Sequence, residues 1–317
     1  MRRIAAMIVL PLLAAGVLAG CGGSTGTTSA GADVAVTGAF DQAPVIKIPA
    51  AKASSKLSFK TVIHGTGPAL HTTDAFIGNY AIYVWSGTAH RLAQSSFGTT
   101  THPGNPTLFS GQLLPGLSKA LIGQKMGSRV LAVIPPKEGF GTSGNPQVGI
   151  KGTDTLVFVV DLIKDFASND SAAGTPVSDG GKGLPTVTAV TGSAPTIKMP
   201  SGQPPTKLVT KTLVQGTGPV VTKGQTVVVQ YVGAIWASGK VFDASWRRGQ
   251  PFGFVIGSTP SQVIPGWDLG LTGQKVGSRV MLVIPPADGY GKTGNTQAGI
   301  KGTDTLVFVV DILGGFS

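Results

Sequence analysis

The chain has 317 residues, 47 of them Gly and 22 Pro, with only 12% charged residues and a formal charge of +11. That length predicts two domains, and the Gly/Pro content fits short strands joined by turns and linkers. Beyond the first residues, Lys and Arg cluster only at Arg247-Arg248, so the basic balance reads as a dispersed surface, no nucleic-acid site is expected, and the single Cys excludes an intramolecular disulfide.

Arg2 and Arg3 form a charged start, and Ile4 to Ala19 is apolar. The stretch is short and ends in small residues, as a secretory signal does, and it predicts a signal peptide over 1–20 rather than a membrane span. It runs into LAGC at 18–21, which resembles a bacterial lipobox. Cys21 is therefore the expected lipidation site, anchoring the chain to the extracytoplasmic face of a bacterial cell membrane. Two acyl chains hold a protein stably where one does not. Residues 21–43 are small and polar and are expected to form a flexible tether.

Two homologous units follow, expected at 44–166 and 195–317, with a linker over 167–194. GIKGTDTLVFVVD occurs at 149–161 and again without change at 299–311; PVIKIP (44–49) corresponds to PTIKMP (195–200), and GQKMGSRVLAVIPP (123–136) to GQKVGSRVMLVIPP (273–286). A period near 150 residues means tandem globular domains, since solenoid repeats are far shorter. Within a unit, β-branched and aromatic runs at 226–236, 278–286 and 304–313 predict strands. PGWDLGLTGQ (265–274) predicts one short helix, opened by Pro265 and stopped near Gly273. Each unit is thus expected to be α+β: an antiparallel sheet with one short helix packed on it.

In the second unit, VQYVGAIWASGKVFDASWRRGQPFGFVIG is followed by QVIPGWDLGL, PPADGYG and TLVFVVDIL. This ordered set, covering essentially all of 204–313, resembles FKBP-type peptidyl-prolyl isomerases. The resemblance implies a bent antiparallel sheet wrapped on the helix, with an apolar pocket between them. It implies Trp267 as the pocket floor, and Tyr231, Phe242, Phe252 and Phe308 as walls. Val263 and Ile264 would line the rim, the Ile264 N–H taking one substrate carbonyl and the Tyr290 hydroxyl the other. Asp243 would sit at the edge, oriented by Tyr231 and Arg248, and Ile300 would close one side. The loop from Gly257 to Val263 is longer than in the smallest family members. Expected partners are proline-containing exported polypeptides and macrolide inhibitors, with no cofactor.

The first unit keeps Tyr80, Trp85, Ile150 and Phe158 at the matching positions. KVFDASW is faced by RLAQSSF (91–97), so Phe242 and Asp243 become Ala93 and Gln94. Leu117 stands for Trp267, Phe140 for Tyr290 and Leu113-Leu114 for Val263-Ile264, with Phe252 opposite Pro106 or Thr107. Little or no isomerase activity is expected from 44–166. The alternative is a peptide-binding chaperone or scaffold without turnover.

Other chemistries find less support. All four His (His64, His71, His90, His102) lie in the first unit without ligand spacing, so no metal site is expected. GYGKTG (289–294) has Pro286 where a phosphate loop needs Gly. The second unit has no His, which removes a Ser-His-Asp hydrolase.

Overall fold

A computed structural model describes residues 34–98, 104–177 and 181–317. The expected signal peptide and Cys21 lie outside them. The first domain comprises β1 (Ala35–Thr37), β2 (Val45–Lys47), β3 (Ser58–Ile63), β4 (Ala75–Ser86), β5 (Ala89–Ser95), β6 (Thr107–Phe109), α1 (Pro115–Leu121), β7 (Arg129–Ile134) and β8 (Thr155–Phe166). The second comprises β9 (Thr175–Pro176), β10 (Thr186–Thr188), β11 (Thr196–Lys198), β12 (Val209–Gln215), β13 (Thr226–Ile235), β14 (Val241–Ala244), β15 (Phe252–Val255), α2 (Pro265–Leu271), β16 (Arg279–Ile284) and β17 (Leu306–Phe316).

The main sheets run β3-β7-β8-β4-β5 and β9-β12-β16-β17-β13-β14, with all pairs antiparallel. The long central strands are shared: β4 pairs β5 at one end and β6 at the other, and β13 does the same with β14 and β15. This is the α+β architecture expected from the sequence. Each helix begins at a proline, whose fixed φ suits the first turn and whose missing N–H would have had no partner there. Gly123 and Gly273, at φ 82° and 85°, turn the chain away after the last turn. The helix α2 lies very close to the sheet: a Cβ on Gly270 would stand 2.5 Å from Leu282 Cδ2. That approach seats Trp267 deep in the inner core, among Tyr231, Phe254, Leu271, Leu282 and Phe308.

Short strands arise within the stretches expected as tether (21–43) and linker (167–194): β1 in the first, β9 and β10 in the second. β1 pairs β2, β10 pairs β11, and these hairpins cover the outer face of each sheet, Val36 and Ile48 packing with Trp85, and Val187 and Ile197 with Trp236. The two Trp side chains also donate outward, Nε1 reaching Ala51 O at 2.9 Å and Gly202 O at 3.1 Å. So the matching Trp85 and Trp236 serve the outer layer in both domains. A hairpin carrying two or three apolar residues among Gly, Ser and Thr has no strand signal of its own. Its stability comes from the surface it covers.

Two buried ion pairs at equivalent positions tie these segments down. Arg129 binds Asp161 through Nε at 2.6 Å and Nη2 at 2.7 Å, while its other donors reach Gly38 O and Gln42 O. Asp41 N donates to the same carboxylate. In the second domain Arg279 holds Asp311 at 2.6 Å, and Ala172 N completes that carboxylate. Burial pushes the Asp161 carboxyl up, against the pull of Arg129. Removing one partner of such a pair leaves an uncompensated buried charge, a loss of about 3–5 kcal/mol.

Candidate active site

The bent sheet of the second domain and α2 enclose a shallow pocket of about 140 Å³. Nine of the ten expected pocket residues line it: Tyr231, Phe242, Asp243, Phe252, Val263, Ile264, Trp267, Tyr290 and Phe308. Gln262, not foreseen, joins them. Ile300, expected to close one side, is not part of the lining. A backbone bridge to Asn295 turns it into the core, where it is 3% exposed.

Rings set the shape. Trp267 lies edge-on to Tyr231 at 5.1 Å and to Phe308 at 5.2 Å between centroids, and Phe242 meets Phe308 edge-on at 5.5 Å. Phe252 approaches Tyr231 at 6.0 Å. Such pairs each contribute about 0.5–1.5 kcal/mol beyond the area they bury. The Trp267 indole N–H is buried without a hydrogen-bond partner. A purely structural position would favour a residue without that burden, as Leu117 is in the first domain.

Polar groups stand at the rim. Tyr231 Oη donates to Asp243 Oδ2, and Arg248 reaches both, donating to Asp243 Oδ1 and, at 2.9 Å, to Tyr231 Oη. Burial, ahead of the Asp243 carboxylate, pushes the Tyr231 phenol up from its ordinary 10.0. Ile264 caps α2, and among the described residues its N–H has no acceptor. The Tyr290 hydroxyl is likewise free, on a residue 37% exposed.

The family model for FKBP-type peptidyl-prolyl cis-trans isomerases matches residues 79–163 and 218–313. The chain belongs to that family. It is 45% identical to the FK506-binding protein of Streptomyces anulatus over 119 residues, 38% of this chain and 94% of the relative. A probable FK506-binding protein of Corynebacterium glutamicum is 39% identical over 119 residues, 38% of this chain and 96% of that one. Among solved structures, FkpA from Escherichia coli is 40% identical over 38% of this chain and 51% of its own, at a TM-score of 0.32. The three FKBP domains of wheat FKBP73 are 23% identical over 82% of this chain and 94% of theirs, at a TM-score of 0.31.

The two FKBP domains of this chain differ at the pocket, and strand register fixes the correspondence. Val229 pairs Phe252 as Gly78 pairs Thr107, so Thr107 rather than Pro106 stands where Phe252 does. Gly233 pairs Asp243 as Ile82 pairs Gln94. Tyr80 keeps its place, but its hydroxyl meets Thr107 instead of a carboxylate. Leu117, Phe158 and Ile82 pack together in the first core. The first domain has a larger cleft, about 400 Å³, between Leu70, Phe76, Phe109 and α1. Of the positions matching the second pocket it contains Gln112 and Leu113 alone. It opens where the loop before the helix is short: six positions lead from Phe109 to Pro115, against eleven from Phe254 to Pro265.

Three features of the second FKBP domain escaped sequence reasoning. Asp268 pins the longer loop, accepting from Gly257 N and Ser261 Oγ, both at 2.7 Å. Ser245 Oγ accepts from Tyr231 N at 2.8 Å and donates to Gln230, and Ser96 does the same with Tyr80 and Asn79, so this anchor belongs to the scaffold. Gly233 is the third. A Cβ there would lie 2.7 Å from Phe308 Cε1 and 2.8 Å from Phe242 Cζ, so the Phe242 ring needs glycine beneath it. The first domain has the reverse exchange, Ile82 with Ala93. The signal was present in YVGAIW and VFD against YAIYVW and LAQ, but only the cross-strand contact joins the two changes.

The raised phenols of Tyr231 and Tyr80 bear on alkaline stability; burial is the first cause for both. Their neutral forms are favoured by folding, so the contribution is fully present below the unfolded value near 10 and is lost as pH rises through the folded value. The Tm is expected to hold level to about pH 10 and to fall beyond it. The fall should be shallower in Tyr231→Phe, as pH-stepped calorimetry would show. An equally steep fall in that variant would contradict the assignment.

Proposed function

We propose that this FKBP-type isomerase works outside the bacterial cytoplasm, tethered to the membrane through Cys21, and that its second domain carries the turnover on proline-containing exported polypeptides. One observation carries the choice of domain. The aromatic and polar residues gather around one pocket in the second domain, while the first has Ala93, Gln94, Thr107, Leu117 and Phe140 at the same places.

The chemistry asks for no bond to be made or broken. Amide resonance sets a rotation barrier of roughly 18–20 kcal/mol. A catalyst must bind the twisted amide better than either planar form. Twisting reduces charge separation, so an apolar, water-poor site favours it. In this reading Trp267 lies under the proline ring, and Tyr231, Phe242, Phe252 and Phe308 exclude water. The Ile264 N–H and the Tyr290 hydroxyl take the flanking carbonyls. Asp243, held by Tyr231 and Arg248, keeps a negative edge near the nitrogen. The same pocket would take an FK506-class macrolide, as the names of the Streptomyces and Corynebacterium relatives indicate for those proteins.

Support for the location is the run from Arg2 to Cys21, with residues 1–20 as the removed signal and the chain after Cys21 leading into β1. The test joins both parts. Expressed in a bacterium, the full chain should fractionate with membranes and accelerate cis/trans exchange of a proline peptide, inhibited by the macrolide. Cys21→Ser should move it to the soluble fraction with its turnover intact. Unchanged partition would refute the anchor. Peptide binding without acceleration of exchange would refute the enzyme and leave a holding module, a reading that the wide cleft of the first domain favours.

A further inference from the structure

The two domains meet through surfaces drawn from the same places in each fold. Ile77 on β4 and Val228 on β13 are equivalent positions, as are Phe166 and Phe316 at the ends of β8 and β17. All four belong to one shared apolar cluster between the domains, and the two Phe rings meet edge-on at 6.1 Å. The contact is therefore self-complementary, in the manner of a twofold dimer. Its edge is sealed by Thr226 Oγ1, which lies 2.6 Å from Asn105 Oδ1 and 2.7 Å from Pro106 O.

Two equivalent pairs break the symmetry: Thr226, which matches Ala75, and a pair beside the pocket. Leu108 on β6 corresponds to Gly253 on β15, and the two face each other. A Cβ on Gly253 would lie 2.8 Å from Leu108 Cβ, so the Leu108 side chain occupies the place a residue there would fill. The strand β15 is four residues long and, among the described residues, pairs with β13 alone. Successive side chains on a strand point to opposite faces. Phe252 and Phe254 thus face the pocket and core, while the bare backbone of Gly253 between them rests on Leu108. Among the described residues, the three atoms nearest to such a Cβ all belong to Leu108.

We propose that the first domain is a fixed buttress for the second domain's prolyl site, and that Leu108 is a positioning residue that holds β15, and through it the Phe252 wall, in place. The proposal rests on the reading of that pocket as the prolyl site. It gives the degenerate domain a task that needs no pocket of its own.

The test measures kcat and KM of the full chain on a proline peptide, with Tm alongside. A wall that grips substrate and twisted amide alike affects KM rather than kcat. Leu108→Ala should raise KM about fivefold with kcat unchanged, since small displacements of a positioned group are costly. Leu108→Val should fall between, and Leu108→Met, close in volume, should keep the wild-type KM. Phe166→Leu, in the same interface but away from β15, should lower Tm and leave KM alone. An unchanged KM in Leu108→Ala, or an equal rise in Phe166→Leu, would overturn the buttress while leaving the prolyl site standing. A wild-type chain without turnover would instead refute the prolyl site itself.

Discussion

Gly233→Ile is expected to lower kcat/KM by roughly tenfold to a hundredfold, a barrier increase of about 1.4–2.7 kcal/mol. The new side chain takes the space of the Phe242 ring, whose Cζ would stand 2.8 Å from the added Cβ. Overpacking of this kind costs about 1–3 kcal/mol of stability. The second half of the expectation is more discriminating. Gly233→Ile with Phe242→Ala imports the arrangement of the first domain, where Ile82 and Ala93 coexist with Phe158 in one core. The double variant should regain most of the lost stability and none of the lost turnover. The coupling energy should fall in the range of about 0.5–3 kcal/mol seen for residues in contact. Denaturant titration and an exchange assay on the four chains of the cycle would decide it. Additive stabilities, or recovery of turnover in the double variant, would show that Phe242 does not rest on Gly233 in the way described.

Trp267→Leu is expected to reduce kcat/KM by about a hundredfold while costing only about 1–2 kcal/mol of stability. The asymmetry follows from what the residue does. Leu removes the edge contacts to Tyr231 at 5.1 Å and Phe308 at 5.2 Å, and with them the pocket floor. It also removes the buried indole N–H that has no partner. Leaving such a donor unsatisfied costs about 1–3 kcal/mol, which offsets part of the lost packing. Leu117 in the first domain shows that the fold accepts leucine at this position. If Trp267 were a core residue and nothing more, stability would fall by the full amount expected for a large aromatic and turnover would follow only through unfolding. Assays at a temperature well below Tm separate the two outcomes.

The sequence carried some parts of this picture and concealed others, for physical reasons. The long central strands are apolar on both faces and announce themselves, and Pro265 and Gly273 bracket the helix. The pocket residues became legible through their resemblance to the FKBP pattern, and nine of ten lie together as a set. Ile300 packs in the same core cluster as Trp267 and Phe308 without reaching the pocket lining, and its bridge to Asn295 is not encoded in the pattern. Only one strand of each outer hairpin was read with its domain, β2 and β11; their partners β1 and β10 fall in the stretches read as tether and linker. Their few valines and isoleucines acquire meaning only against Trp85 and Trp236 on the outer faces. The interface between domains was invisible for a related cause: nothing in the sequence sets Ile77, Val228 or Leu108 apart from other apolar residues. Gly233 shows the limit most clearly. A glycine inside a strand signals close approach of some group, and only the register with Asp243 and the position of Phe242 say which.

The central claim is that two copies of one framework contain one working prolyl site. The most direct test is an NMR titration of the intact, unmodified chain with a short proline peptide. Shifts are expected at Val263, Ile264 and the Trp267 indole, with exchange of the peptide accelerated at the same concentrations. Leu113, Leu114 and Leu117 should stay unmoved. Saturable shifts at those three residues, accompanied by exchange that survives Trp267→Leu, would place turnover in the first domain and contradict the account.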